Sequence, residues 1–178
     1  MKLRQCFAFL LLLTLLMASC RKKQEGFEMT YRRQFDLPIG LDIFKTHTFK
    51  FNDVAADTSV FFQINNVTAS QIKRILPRSM SLRSIFTSAT RYDFIKQVEV
   101  LVSDKNRPRL TPQIAFYRDD VPIGTGDRLD LIPSEVDLSP FLLEGSRFSI
   151  SINITLRDYP PRTIETECNF SFFAVTNE

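Results

Sequence analysis

Two residues are the obvious candidates for catalysis, and the patterns around both indicate structural roles. His47 is the only histidine in the chain, so a Ser-His-Asp triad or a histidine-based zinc site would have to use it. It is in phase with Phe49 and Phe51, which places it at the end of an inward-facing strand and favours a structural histidine. Cys168 lies on another inward face, where a cysteine behaves as a small buried apolar residue.

The sequence contains none of the motifs that usually mark an enzyme. It has no Gly-x-Ser-x-Gly nucleophile turn, no His-Glu-x-x-His helix and no glycine-rich phosphate loop. We therefore predict that the protein is not an enzyme, has no catalytic residue and needs no cofactor.

An acidic segment over residues 119–137 raises the alternative of a calcium site. Calcium takes six to eight oxygen ligands, and loops at one end of a β-sandwich can supply them. The spacing matches no calcium loop, and Arg118 and Arg128 neutralise part of the charge, so we predict no metal. Paired carboxylates could also hydrolyse glycosides, but the chain has no tryptophan to form a sugar platform. The calcium candidates are Asp119, Asp120, Asp127 and Asp130.

A basic stretch runs from Thr58 to Tyr92 without an acidic residue. Its possible contacts for an anion or a partner are Lys73, Arg74, Arg78 and Arg83. The first three fall at the end of a predicted short helix, where cations complement the helix dipole and can hold phosphate. The alternative is a solvated face that meets opposite charges from elsewhere in the fold.

The elements that would position these residues are mostly strands. Alternation of apolar and polar residues predicts half-buried strands, and residues 148–156 give the clearest case. The other predicted strands are 164–174, 94–102, 27–37, 43–51, 60–64, 80–86 and 113–117. Pro160 and Pro161 separate the last two strands of the chain, which predicts a hairpin or a crossing between sheets.

Helix is predicted only in short pieces. Residues 139–145 begin with Ser-Pro and end with Gly, which is typical of one or two helical turns. Residues 70–76 have apolar positions at helical spacing before Pro77. About eight strands with one or two short helices predict an all-β fold. We expect an antiparallel β-sandwich, immunoglobulin-like or jelly-roll in character.

The amino-terminal residues have the pattern of an export signal. Lys2 and Arg4 give a basic start, and the run 7–17 is almost entirely apolar. About a dozen apolar residues suit the centre of a signal peptide and are too few to span a bilayer, which needs about 20. The run Leu-Met-Ala-Ser-Cys at 16–20 resembles the lipobox of bacterial lipoproteins, with Met17 where the family prefers leucine.

The resemblance implies cleavage before Cys20, acylation of that cysteine and stable anchoring in a membrane. The basic residues after it include neither the aspartate that often marks inner-membrane retention nor the acidic cluster that some lineages use for surface export. We therefore expect an outer-membrane lipoprotein that faces the periplasm. The alternative is an ordinary secreted protein. The chain divides into a signal peptide (1–19), a lipidated cysteine with a short basic tether (20–26) and one domain (27–178).

Charge and cysteine content narrow the function further. The signal contains two of the 23 basic residues and none of the 20 acidic ones, so the mature net charge is about +1. A near-neutral domain argues against nucleic-acid binding. Cys168 is the one cysteine left after processing and acylation, so no disulfide can form within the domain.

These features predict a non-catalytic accessory, scaffold or interaction subunit of the bacterial envelope. We expect it to contact the membrane through its lipid anchor and to bind another envelope protein. The alternative is a binding module for glycan, lipid or calcium that uses the loops at the end of the sandwich.

Overall fold

A computed structural model describes residues 25–86 and 91–177 of the chain. The predicted signal peptide, the lipobox-like residues 16–20 and the predicted lipidation site Cys20 lie outside the described residues. None of the helical pieces within residues 25–86 and 91–177 has the length and apolar character of a membrane-spanning helix.

The described residues form eight strands and three short helical pieces. The strands are β1 (Gly26–Leu37), β2 (Thr46–Ala55), β3 (Ile72–Ser84), β4 (Ile95–Ser103), β5 (Gln113–Arg118), β6 (Arg128–Pro133), β7 (Arg147–Leu156) and β8 (Ile164–Thr176). The helices are α1 (Thr58–Ile64) and α2 (Ser139–Leu142), with a 3-10 turn at Ala69–Gln71.

All eight strands belong to one antiparallel sheet in the order β1-β8-β3-β6-β5-β4-β7-β2. A short β5–β6 pairing, Phe116 with Pro133 and Tyr117 with Ile132, joins its two halves. The prediction of an all-β antiparallel fold with about eight strands and short helices is confirmed. The sheet is nearly closed, and so it is barrel-like rather than clearly a sandwich.

The core is built from the inward faces that the alternation predicts. On β7 the alternate residues Phe148, Ile150, Ile152, Ile154 and Leu156 are all buried. Aromatic rings dominate where the halves of the sheet meet: Phe172 lies 6.0 Å from Phe116 and 6.0 Å from Phe148, centroid to centroid. Burial of this much aromatic surface is the main stabilising term available to a domain without a disulfide.

The ends of the sheet, β1 and β2, do not pair with each other, and we call the gap between them the seam. Helix α1 covers the part of the seam beside the first half of β1. Its Phe61 and Phe62 rings lie 5.9 Å from Tyr31 and 6.0 Å from Phe27, respectively. The prediction of a strand over Val60–Ile64 is therefore wrong, because a short apolar run does not distinguish a strand from a helix.

The predicted helix over residues 70–76 is also wrong beyond its first turn. Ile72 and Ile75 of β3 both face the protein core, because a bulge between Ile72 and Arg74 shifts the alternation of the strand. The extra residue of the bulge puts two buried positions three residues apart, and this is also the spacing of residues on one face of a helix. Pro77 sits at a second bulge of the same strand, a position that tolerates the missing N–H.

One further segment differs from the sequence-based expectation, and one connection agrees with one of the two alternatives that we predicted. Strand β6 lies inside the acidic segment, which we expected to be loop. Strands β7 and β8 do not form a hairpin: β7 pairs with β2 and β4, whereas β8 pairs with β1 and β3. The chain therefore crosses from one half of the sheet to the other at residues 157–163, which is the second of the two connections that we predicted.

Candidate functional site

Four loops meet at one end of the sheet, which we call the loop end. They are residues 38–45, 85–94, 119–127 and 157–163, and residues 87–90 of the second loop are not described. Most of the exposed large apolar side chains of the described chain lie on these loops. They are Ile39, Phe44, Phe86, Ile123 and Tyr159, with exposures from 57% to 89%.

The loop end contains a cleft of about 590 Å³. Its volume falls within the range of sites that bind small molecules or protein side chains. Apolar lining comes from Phe94, Ile123, Tyr159 and Pro161, and charged lining comes from Arg91, Asp93, Arg157 and Asp158. The cleft therefore offers an apolar floor with two cations and two carboxylates around it.

Arg157 links two of the segments that form the cleft. Its Nε donates to the Ile95 carbonyl oxygen at 3.1 Å, and its Nη2 donates to the Val121 carbonyl oxygen. The same Nη2 lies 3.3 Å from the Asp120 carboxylate. Because its guanidinium is engaged on both sides, Arg157 fixes the 119–127 loop against β4 and serves as a rigid wall.

Asp93 positions the opposite wall. Its Oδ1 accepts a hydrogen bond from the Gly124 backbone N–H at 3.0 Å, and its Oδ2 lies 3.8 Å from Nη1 of Arg91. Gly124 has φ +94°, a conformation that glycine adopts without strain. Arg91 is 69% exposed, so its guanidinium is the more available of the two cations in the cleft.

Both candidate catalytic residues occupy structural positions. His47 is half-buried on the same face as Phe49 and Phe51, and its Nε2 is hydrogen bonded to the Asp42 carbonyl oxygen at 2.8 Å. Burial raises the pKa of the Cys168 thiol to about 12. A buried thiol with so high a pKa is a poor nucleophile, because the thiolate is the reactive form.

The four predicted anion contacts lie on β3, not at a helix end, so the helix-dipole part of that prediction is wrong. Lys73, Arg74, Arg78 and Arg83 are all exposed. In the described part of the chain none of them forms an ion pair with a carboxylate. The Arg78 guanidinium lies 5.9 Å from the Phe173 ring centroid.

Arg83 lies apart from the other three, beside a small polar cavity of about 270 Å³. The cavity also contains the ion pair of Arg32 with Glu167. The pKa of Glu167 is lowered, chiefly by the hydrogen bond from the Asn169 side chain at 2.6 Å and further by Arg32.

Three of the four calcium candidates have separate partners for their carboxylates. Asp119 accepts from the Gln97 amide at 3.0 Å, and Asp120 and Asp130 face Arg157 and Arg128. The backbone carbonyl of Asp127 accepts from the Ser84 N–H at 2.9 Å. Over residues 25–86 and 91–177, no three acidic, histidine or cysteine side chains are grouped so that they could hold a metal ion.

Sequence reasoning missed most of the cleft. Arg91 belonged to the basic stretch and Ile123 to the acidic segment, but nothing linked them. Phe94, Arg157 and Tyr159 carried no functional signal, because the sheet topology that brings the four loops together is not encoded in local periodicity. The Pro160–Pro161 pair, which marks the crossing loop, was the nearest available indication.

Comparisons with known proteins add little to this picture. No protein-family model matches the chain, and no curated protein matches it. Among solved structures, it is similar to a chain from Desmodium yellow mottle tymovirus, with a TM-score of 0.31 and 10% identity. That similarity covers 85% of this chain and 89% of the viral chain. A TM-score this low does not establish a common fold.

Proposed function

We propose that the protein is a non-catalytic interaction subunit of the bacterial envelope, anchored by lipid on Cys20 in the outer membrane and facing the periplasm. The amino-terminal sequence supports the anchor through its basic start, its apolar run and its lipobox-like residues 16–20. The structural roles of His47 and Cys168 support the absence of catalysis.

The fold suggests how the anchored domain would be oriented relative to the membrane. Strand β1 begins at Gly26, and its first residues lie beside the end of β8, opposite the loop end. Twelve strand residues extend over roughly 36 Å. A lipid attached six residues before Gly26 therefore anchors the end of the domain that lies away from the loops. The loop end then faces away from the membrane, where a partner can reach it.

The exposed apolar residues of the loop end are the observation that carries the proposal. Phe44 is 89% exposed and Ile123 is 82% exposed. Apolar side chains gathered on one part of a surface and rimmed by charge mark interaction sites, because their burial against a partner removes apolar area from water. Arg91 and Asp93 supply such a rim beside Ile123.

A second candidate function is a binding module for a small ligand, and the cleft favours it. A concave site that places Arg91 and Asp158 around the Tyr159 ring could orient a glycan or a lipid headgroup. The two functions differ in what the cleft would retain: a protein surface in one case and a small molecule in the other.

Site-specific photocrosslinking in living cells distinguishes these functions. A photoreactive residue at Ile123 or Phe44 is expected to give an adduct with one recurring envelope protein. The matched control position is Ile114, which is also exposed but lies on β5 toward the other end. Equal adducts at Ile114 would contradict a partner surface at the loop end. Copurification of a glycan or lipid without a protein adduct would favour the second function.

A further inference from the structure

The seam between β1 and β2 presents two unpaired strand edges that face each other. β1 pairs only with β8 and β2 only with β7. Seven antiparallel pairings separate the two strands in the sheet, so β1 and β2 run in opposite directions. Each edge carries backbone N–H and C=O groups that no neighbouring strand satisfies, and such edges readily accept a further strand.

The seam is too wide for β1 and β2 to pair with each other. The Cα atoms of β1 and β2 are almost everywhere more than 8 Å apart. Directly paired strands are about 4.8 Å apart, so two strands that flank a third are about 9.6 Å apart. The gap is thus too wide for direct pairing of β1 with β2. It is still narrow enough for the Phe35 and Phe49 rings to lie 4.8 Å apart, centroid to centroid.

The open part of the seam lies toward the loop end. Helix α1 covers the first half of β1, which leaves Arg33–Leu37 facing the first half of β2. Inside this stretch the rings of Phe35, Phe49 and Phe51 are only half-buried. They form an apolar floor beneath the gap.

Arg33 adds a charge to this floor. It stands at an inward-facing position between Tyr31 and Phe35 and is half-buried. Its Nη1 donates to the Arg32 carbonyl oxygen at 2.7 Å. No carboxylate of the described chain pairs with it. A half-buried cation without a counter-charge is costly, and a carboxylate from outside would stabilise it.

We propose that the seam binds an extended segment of a partner protein as a ninth strand. An acidic side chain of that segment meets Arg33, and its neighbouring inward residues pack on the half-buried rings of Phe35, Phe49 and Phe51. Backbone hydrogen bonds to both edges supply affinity, and alternate side chains supply specificity. A second copy is a poor occupant of the seam, because its edge strands are already paired on one side within its own sheet and cannot pair with both β1 and β2. This inference depends neither on Cys20 nor on the cleft.

The first test is photocrosslinking of the full chain in its native cells, with the photoreactive residue at Gln34 on β1 or at Lys50 on β2. Both side chains are exposed and border the open seam. The control position is Glu165, which is exposed on β8, a strand paired on both sides. We expect Gln34 and Lys50 to give adducts with the same short stretch of one protein, and Glu165 to give none.

The second test uses that stretch as a synthetic peptide. Arg33→Glu is expected to weaken its binding roughly tenfold or more, and replacement of the peptide's acidic residue by lysine should restore it. Methylation of the peptide's backbone nitrogens should also abolish binding, because it removes donors and leaves the side chains intact. Arg33→Gln serves as the variant if Arg33→Glu unfolds. Lys105→Glu, at an exposed position in the loop after β4, is the control for net charge.

Three results would overturn the proposal. The first is no adduct at either seam position. The second is an adduct whose partner is another copy of this chain. The third is a mapped peptide whose binding survives backbone methylation. The peptide-binding readout does not involve Cys20, so a failure of lipidation would leave it unchanged and this test and the test of the anchor are separable.

Discussion

Tyr31 donates its phenolic O–H to the carbonyl oxygen of Ala56 at 2.6 Å, inside the core. The bond joins β1 to the segment between β2 and α1, across the seam. Burial raises the pKa of the Tyr31 hydroxyl, which keeps it protonated as a donor. The ring also stacks on Phe170 with centroids 5.2 Å apart. One side chain therefore closes the half of the seam that α1 covers, and the other half stays open.

Loss of this hydrogen bond should destabilise the domain. We expect Tyr31→Phe to lower the free energy of unfolding by about 1–2 kcal/mol, because a buried carbonyl loses its donor. Urea unfolding followed by circular dichroism measures the change. The control is Tyr159→Phe, whose ring is exposed and whose effect should stay within about 0.5 kcal/mol. Equal effects of the two substitutions would show that the bond to Ala56 contributes nothing.

The lowered pKa of Asp104 should make the stability of the domain depend on pH. Burial acts to raise the pKa of Asp104, but the Arg107 guanidinium at 2.6 Å and the Asn106 N–H outweigh it, and the pKa is lowered. A lowered folded-state pKa stabilises the protein above the ordinary aspartate value of about 3.9. That stability is lost as the pH falls through the folded-state pKa.

We therefore expect Asp104→Asn to be less stable than wild type at neutral pH and to lose less stability on acidification. Urea unfolding midpoints between about pH 6 and pH 2.5 test this comparison. Carboxylates other than Glu144, which shares Arg107 with Asp104, contribute equally to both proteins, so the difference between the two curves reports the Arg107 ion pairs. Parallel curves would contradict the assignment. The prediction concerns stability alone, because Asp104 lies away from both proposed binding surfaces.

How far the sequence predicts this fold depends on whether a segment keeps a simple period. Strand β7 alternates without interruption, so its limits follow from the pattern almost to the residue. Strand β3 contains two bulges, and the first puts Ile72 and Ile75 on the same face at helical spacing. Strand β6 has only two buried residues, Leu129 and Leu131, and charged neighbours obscure it.

The sites were harder to predict than the strands because they depend on which strands become neighbours. The cleft needs residues 91–94 and 157–161 to meet, and the seam needs β1 and β2 to be the ends of the sheet. Neither relationship leaves a local signal. Sequence reasoning did not single out Arg33, which interrupts the inward face of β1. Its meaning becomes apparent only once β1 is known to be an edge.

Substitutions in the cleft should separate binding from folding. Tyr159→Ala removes an exposed ring, so we expect the free energy of unfolding to change by no more than about 0.5 kcal/mol. A partner protein that binds the loop end should nevertheless bind this variant roughly tenfold more weakly, because aromatic residues at interfaces contribute much of the binding energy. Quantitative pull-down of the crosslinked partner measures this loss. Ile114→Ala, on the outer face of β5, is the control and should retain full binding.

We expect the exposed cations of β3 to bind anionic phospholipid, and we expect salt to weaken that binding. Reversal of Lys73, Arg74 and Arg78 to Glu should reduce sedimentation with anionic phospholipid vesicles, and added salt should reduce the wild-type signal too. The control reverses Lys50, Lys105 and Arg109, which changes the net charge equally at other exposed positions. Equal losses would show that net charge matters and the position on β3 does not. Unchanged binding of the β3 variant would make this stretch an ordinary solvated face.

The anchor at Cys20 is the central claim, and the mass of the mature amino terminus tests it most directly. Mass spectrometry of the protein extracted from membranes should find an amino-terminal peptide that begins at Cys20 and carries the added mass of acyl chains. Cys20→Ala should move the folded protein to the soluble periplasmic fraction. An unmodified amino terminus, or a cleaved Cys20→Ala variant that remains in the membrane, would contradict the account.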